Sequence, residues 1–132
     1  MDLLEQLQAE REIRQLIARY AQLADDQDAA AFVALFTQQG ELTTPARRCV
    51  GHAQIQDWLL AALAGGKTRH LVMNPLIEID SNAEASGSMD MLALRAGDSG
   101  WVVAATLRYA DRYVRTEQGW KFAKRELRPV MP

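Results

Sequence analysis

Residues 68–80 read TRHLVMNPLIEID, and it is here that the hydrophobic period of the chain shifts from about 3.6 to about 2. The stretch alternates apolar and polar side chains in a way no helix face would. Strict alternation puts His70 with Val72, Asn74, Glu78 and Asp80 on the more polar face. Pro75 breaks that pattern, because it lacks the amide donor a ladder needs. A bulge at Asn74-Pro75 would exchange the faces on either side, turning His70 and Val72 inward with Ile77 and Ile79.

Downstream the period of two continues. Segments Ala83 to Ala96, Trp101 to Arg115 and Trp120 to Val130 read as strands after a first one at His70 to Asp80. The spacers Ser81-Asn82, Gly97-Asp98-Ser99-Gly100 and Glu117-Gln118-Gly119 have hairpin length and turn chemistry. Together they predict an antiparallel meander.

Upstream the pattern is helical. Leu7, Ile13, Leu16, Ile17, Tyr20 and Ala24 recur at three- and four-residue steps between charged residues, predicting an amphipathic helix over Leu3 to Ala24. Asp25-Asp26-Gln27-Asp28 interrupts it. Asp28 is placed to cap a second helix with Phe32, Leu35 and Phe36 on one face and Gly40 as its stop. A short extended piece, Glu41 to Val50, precedes a third helix that Gly51 opens. There Ile55, Trp58, Leu59 and Leu63 have core spacing, and Gly65-Gly66 ends it. Three helices before a meander predict an α+β domain spanning 1–132, with the helices packed on one face of a curved sheet.

The composition narrows the function. The chain has 132 residues, 48% hydrophobic and 24% charged, with a formal net charge of −2. That balance gives no general attraction to a phosphate backbone or an anionic bilayer, so neither nucleic acid nor membrane is expected as a partner. The longest uncharged stretch, Ala29 to Gly40, is well short of the ~20 apolar residues of a membrane span. The first residues lack the basic and small-residue pattern of a signal peptide, and the expected location is cytoplasmic. Two histidines, one cysteine (Cys49) and no HExxH or CxxC pattern argue against a metal site. Glycine-rich nucleotide loops and a GxSxG elbow are absent too. Acid–base chemistry without cofactor or metal remains, or binding alone.

Several side chains could carry such chemistry. Asp111 falls on the apolar row of odd positions in its strand, Trp101, Val103, Ala105, Leu107, Tyr109 and Tyr113, where a carboxylate must be paired or hydrogen-bonded. An ion pair at the strand end and a polar group lining a pocket both meet that need. Asp25 ends the first helix and can lean inward, or it can serve the turn with Asp26 and Asp28. Arg125 alternates with Ala123 and Leu127 rather than with Trp120 and Phe122, which places it on the surface. Tyr20 belongs to the apolar stripe. His52, beside Gly51, is expected in solvent. Phe32, Phe36, Trp58, Leu92 and Tyr109 are the candidates to shape a pocket between helices and sheet. The outer sheet face, with Ala104, Thr106, Ala110 and Val114 among arginines, predicts a homodimer or homotrimer.

The segment IRQLIARYAQLADDQDAAAFVALF (13–36), with GHAQIQDWL (51–59), TRHLVMNPLIEID (68–80) and YADRYVRTEQGWKFAKR (109–125), resembles the SnoaL-like branch of the nuclear-transport-factor-2-like (NTF2-like) superfamily. The order and spacing of these pieces over nearly the whole chain carry the resemblance. It implies a cone-shaped, cystatin-like fold: a strongly curved, mixed but mostly antiparallel sheet around three helices, with an apolar pocket at the wide end. The motif positions are most similar to the group of dehydratases and dehydrochlorinases that includes scytalone dehydratase. In that group an Asp ending the first helix pairs with a proton-abstracting His leading the first long strand. Asp25 and His70 hold these positions, and Arg125 matches an Arg of the last strand. Tyr20 stands where the dehydrochlorinase has Lys, and Ala24 where scytalone dehydratase has a catalytic Tyr, so neither specific activity carries over. The resemblance implies a lyase or isomerase acting without cofactor on a small, hydrophobic, cyclic substrate. It also allows a non-catalytic binding or assembly module, or the small subunit of a ring-hydroxylating dioxygenase.

Overall fold

The computed structural model describes residues 1–132. In chain order the elements are α1 (Leu3–Asp25), α2 (Ala29–Val33), β1 (Phe36–Thr43), β2 (Arg48–Val50), α3 (Gly51–Leu63), β3 (Thr68–Ile79), β4 (Glu84–Gly97), β5 (Gly100–Thr116) and β6 (Gly119–Pro129). The six strands form one curved, open sheet in the order β2-β1-β6-β5-β4-β3. Its long strands form the expected meander. The exception is β1, which lies parallel to β6 and makes the sheet mixed.

α1 begins with a reciprocal cap: the Asp2 side chain accepts from the Glu5 amide, and the Glu5 side chain accepts from the Asp2 amide. Its inner stripe is Ala9, Ile13, Leu16, Ile17, Tyr20, Ala21 and Ala24, all buried. Leu7, expected on that stripe, is exposed, because the helix has run past the edge of the core there. Asp28 caps α2 as its position predicts, accepting from the Ala31 amide.

α2 is shorter than its apolar spacing suggests. It ends at Val33, and Phe36 to Gly40 is strand rather than helix. The sheet captures this segment: the Phe122 amide donates to the Leu35 carbonyl, and Phe36 pairs with Phe122 across the β1–β6 ladder. His52 reinforces it, donating from Nε2 to the Phe36 carbonyl at 2.9 Å. It is therefore half-buried and hydrogen-bonded, not free in solvent. Phe32, Phe36 and Phe122 are fully enclosed and stack around Tyr20 with centroids 4.6–6.3 Å from its ring. Each such ring contributes roughly 1.5–3 kcal/mol by leaving water.

Three bulges set which side chains face the helices. Asn74 and Pro75 stand opposite Met89 alone, so the faces of β3 exchange there, and His70, Val72, Ile77 and Ile79 all turn inward. Asn74 takes φ +52, a left-handed conformation that Asn tolerates better than most residues. Gly87 makes room for this bulge, since a Cβ there would overlap the Leu76 carbonyl oxygen. In β5, Ala104 has no partner between the pairs Ala93–Ala105 and Leu94–Val103. The apolar row read along this strand therefore leaves the inner face at its start, and Trp101 and Val103 are exposed. In β6, Ala123 is skipped between the pairs Arg112–Lys124 and Tyr113–Phe122.

Candidate active site

α1 ends beside the start of β3, and Asp25, its last residue, reaches across to that strand. The Asp25 carboxylate accepts three hydrogen bonds: from Thr68 Oγ1 at 3.2 Å, from the His70 backbone amide at 3.0 Å and from His70 Nδ1 at 2.6 Å. A carboxylate at a helix C-terminus meets the unfavourable end of the helix dipole, and these donors offset that cost. Because a carboxylate only accepts, the short contact assigns the proton to Nδ1. Nε2, on the far side of the ring, has no hydrogen-bond partner in the protein. The side chains of His70 and Asp25 are 20% and 16% exposed, sheltered but reachable.

His70 is also part of the wall of a cavity of about 240 Å³ between α1, α3 and the inner face of the sheet. Phe32, Trp58, Leu59, Leu63, Leu107 and Leu127 make that wall mostly apolar, and Tyr20, Thr68, Arg95 and Tyr109 are its other polar members. Burial pushes the phenols of Tyr20 and Tyr109 above their ordinary range, and their mutual proximity adds to this for Tyr20. Both therefore stay protonated at neutral pH. The Tyr20 hydroxyl has no hydrogen-bond partner. On its other side the Asp25–His70 pair borders an open polar groove of about 760 Å³ along Gln22, Lys67 and Arg69.

Behind the cavity wall lies a second polar cluster. Arg125 donates from Nε and Nη2 to the two carboxylate oxygens of Asp111 at 2.7 and 2.9 Å, and Tyr113 donates its hydroxyl to Asp111 at 2.8 Å. The guanidinium carbon lies 4.2–4.3 Å from the ring centres of Tyr20, Tyr109 and Phe122. Burial alone would lower the pKa of Arg125; the charge and hydrogen bond of Asp111, together with Tyr20 and Tyr109, more than reverse that, so the arginine stays cationic.

The sequence candidates thus divide. His70, Tyr20, Phe32, Trp58 and Tyr109 meet at the cavity, and Asp25 holds the His70 ring from the side of the open groove. Arg125 is not on the surface: the Ala123 bulge turns both it and Phe122 inward, and it supports the tyrosine rings from behind without reaching the cavity. Asp111 is likewise no part of the wall. It forms an ion pair, as one reading of its position required, but in the core. Phe36 packs in the aromatic core below the cavity. Leu92 faces the outer side, since Met89 and Met91 occupy the inward positions of β4 and Leu92 pairs with Leu71 and Thr106. Thr68 and Arg95 also line the cavity, and neither is among the sequence candidates. Thr68 sits two residues before His70, on the same face of the strand, which is a signal the sequence carried; Arg95 reaches the site only through the β3–β4 register.

The chain matches the family described as SnoaL-like domain over residues 5–126. No curated protein matches it. Among solved structures, it is similar to Rv3472, a function-unknown protein from Mycobacterium tuberculosis, with TM-score 0.93 and 24% identity over 100% of this chain and 78% of that one. An NTF2-like protein with a cystatin-like fold from Novosphingobium aromaticivorans gives TM-score 0.88 and 26% identity over 96% and 85% of the two chains. LinA gives TM-score 0.88 and 20% identity over 99% and 92%. These likenesses establish the curved-sheet cone. No helix is long and apolar enough to cross a membrane.

Proposed function

The chain belongs to the SnoaL-like domain family, and from that premise we propose that it is a cofactor-independent lyase or isomerase for a small cyclic substrate, with His70 as the general base. The observation that carries the reading is the 2.6 Å contact between Asp25 Oδ1 and His70 Nδ1 at the wall of an apolar cavity. A donor-only Nδ1 leaves Nε2 as the acceptor, and the Asp25 charge stabilises the imidazolium that forms when Nε2 takes a proton. The cavity volume lies below the ~300–1,000 Å³ usual for drug-sized ligands, which suits a molecule of one ring.

In the elimination, Nε2 takes a proton from a ring carbon and the C–H electron pair becomes a new C=C bond. A hydroxyl or halide on the neighbouring carbon leaves with its bonding pair. In the isomerisation, the same proton returns to a different carbon of the delocalised anion. A positioned base contributes roughly 10²–10⁴-fold, so developing negative charge needs a donor as well. Tyr20 and Tyr109, held neutral by burial, are the hydroxyl donors in the wall, and the Arg125 charge behind their rings makes them better donors.

A panel of hydroxy- and halo-substituted cyclic compounds, offered to the wild type and to His70→Ala, tests the reading. Turnover of at least one member, lost by roughly 10²-fold or more in a folded His70→Ala protein, is the expected result. Equal turnover by the variant would remove His70 from the chemistry.

A further inference from the structure

We infer that Arg95 forms an anion subsite at the mouth of the cavity, and that the substrate is a small ring bearing a carboxylate or a comparable oxyanion. This inference rests on the reading of His70 as the base and names the substrate class for it. Thr68, Arg95 and Val102 form one cross-strand row on the inner face, and His70, Ala93 and Ala105 form the next. Arg95 and Val102 are exposed while His70 is sheltered, so the arginine row is the outer one. On the ladder Arg95 is the diagonal neighbour of His70, a relation that separates Cα atoms by about 7–8 Å. A single ring can span that gap.

The guanidinium is placed and unspent. It lies over the end of α3, where a Cβ on Gly65 would overlap Nη1, so the glycine leaves it room. Arg48, Arg108, Arg125 and Arg128 each pair with a carboxylate; Arg69, Arg95, Arg112 and Arg115 do not, and of these four only Arg95 lines the cavity. It is the one arginine or lysine in a wall whose other polar side chains are His70, Thr68, Tyr20 and Tyr109. A planar fork of N–H donors is built for two carboxylate oxygens. With the anion held at Arg95, the apolar ring fills the cavity and its far carbons come to Nε2 of His70. The cation also holds the electron-rich end of a substrate whose negative charge grows as the proton leaves.

The test uses benzoate and its uncharged analogue benzamide. Each is titrated into the wild type and Arg95→Gln at a pH near ~8, where an ordinary imidazole is neutral. Binding is read from chemical shifts of the His70 ring and the cavity methyl groups. The expected result is saturable benzoate binding that weakens at least about tenfold in Arg95→Gln and by less in Arg95→Lys, while benzamide binding is unchanged. Benzoate binding that is absent, or equal in wild type and Arg95→Gln, overturns the subsite, as does an equal loss for benzamide. Because binding is measured without turnover, a subsite that survives while the compound panel gives no product would defeat the lyase reading alone.

Discussion

Asp111 and Arg125 stand directly opposite each other on the β5–β6 ladder, and neither side chain reaches solvent. The pair sits behind the tyrosines that form part of the cavity wall, so its integrity decides where those phenols lie. Removing one partner of a buried pair strands the other charge. Arg125→Met is expected to cost about 3–5 kcal/mol in urea unfolding. Adding Asp111→Leu and Tyr113→Phe removes the stranded carboxylate and its donor together, and should recover part of that loss. A triple variant less stable than Arg125→Met would contradict this account.

The three tyrosines of the chain, Tyr20, Tyr109 and Tyr113, all have phenols held above the ordinary value of 10.0, chiefly by burial. The folded protein therefore keeps protons that the unfolded chain releases above that value. The stabilisation from neutral phenols is complete below about pH 10 and falls as pH rises toward the folded values. Tyrosinate absorbance should accordingly appear together with alkaline unfolding. Smooth ionisation of all three in a protein that stays folded would contradict their burial.

Asn74 holds the bulge that turns His70 inward, with φ +52. Asn74→Gly should fold and keep the site, whereas Asn74→Val forces a β-branched residue into a left-handed conformation at a cost of about 1–3 kcal/mol. Thermal unfolding of the two variants checks this, and equal midpoints would show that the bulge is not strained.

Gly87 lets the Leu76 carbonyl approach β4, with no space for a Cβ between them. Gly87→Ala is expected to lower stability and to shift the His70 ring resonances, because β3 must move as a unit. A spectrum identical to wild type around His70 would place the strain elsewhere.

Most of the fold was legible because it is local: helix stripes, Asp28, Gly51 and the turn residues mark the elements directly. The sheet faces were harder. Pro75 advertised the bulge that rescues His70, but Ala104 and Ala123 carry no comparable mark, so alternation read through them sent Trp101 inward and Arg125 outward. Phe36 has helical spacing and a strand's partners, and a five-residue helix yields easily to a ladder with Phe122. The place of Asp25 followed from resemblance, since nothing local brings it to a residue 45 positions away. Arg95 depends on cross-strand register, which a single sequence does not display.

Proton abstraction by His70 requires that Asp25 fix the ring with Nδ1 protonated and Nε2 free. Nitrogen NMR of the His70 ring, recorded at alkaline pH on the wild type and on Asp25→Asn, measures it directly. The Nδ1–H tautomer is expected in the wild type, with loss of that preference in Asp25→Asn. A wild-type ring protonated at Nε2, or one whose tautomer ignores the substitution, would contradict this role of Asp25.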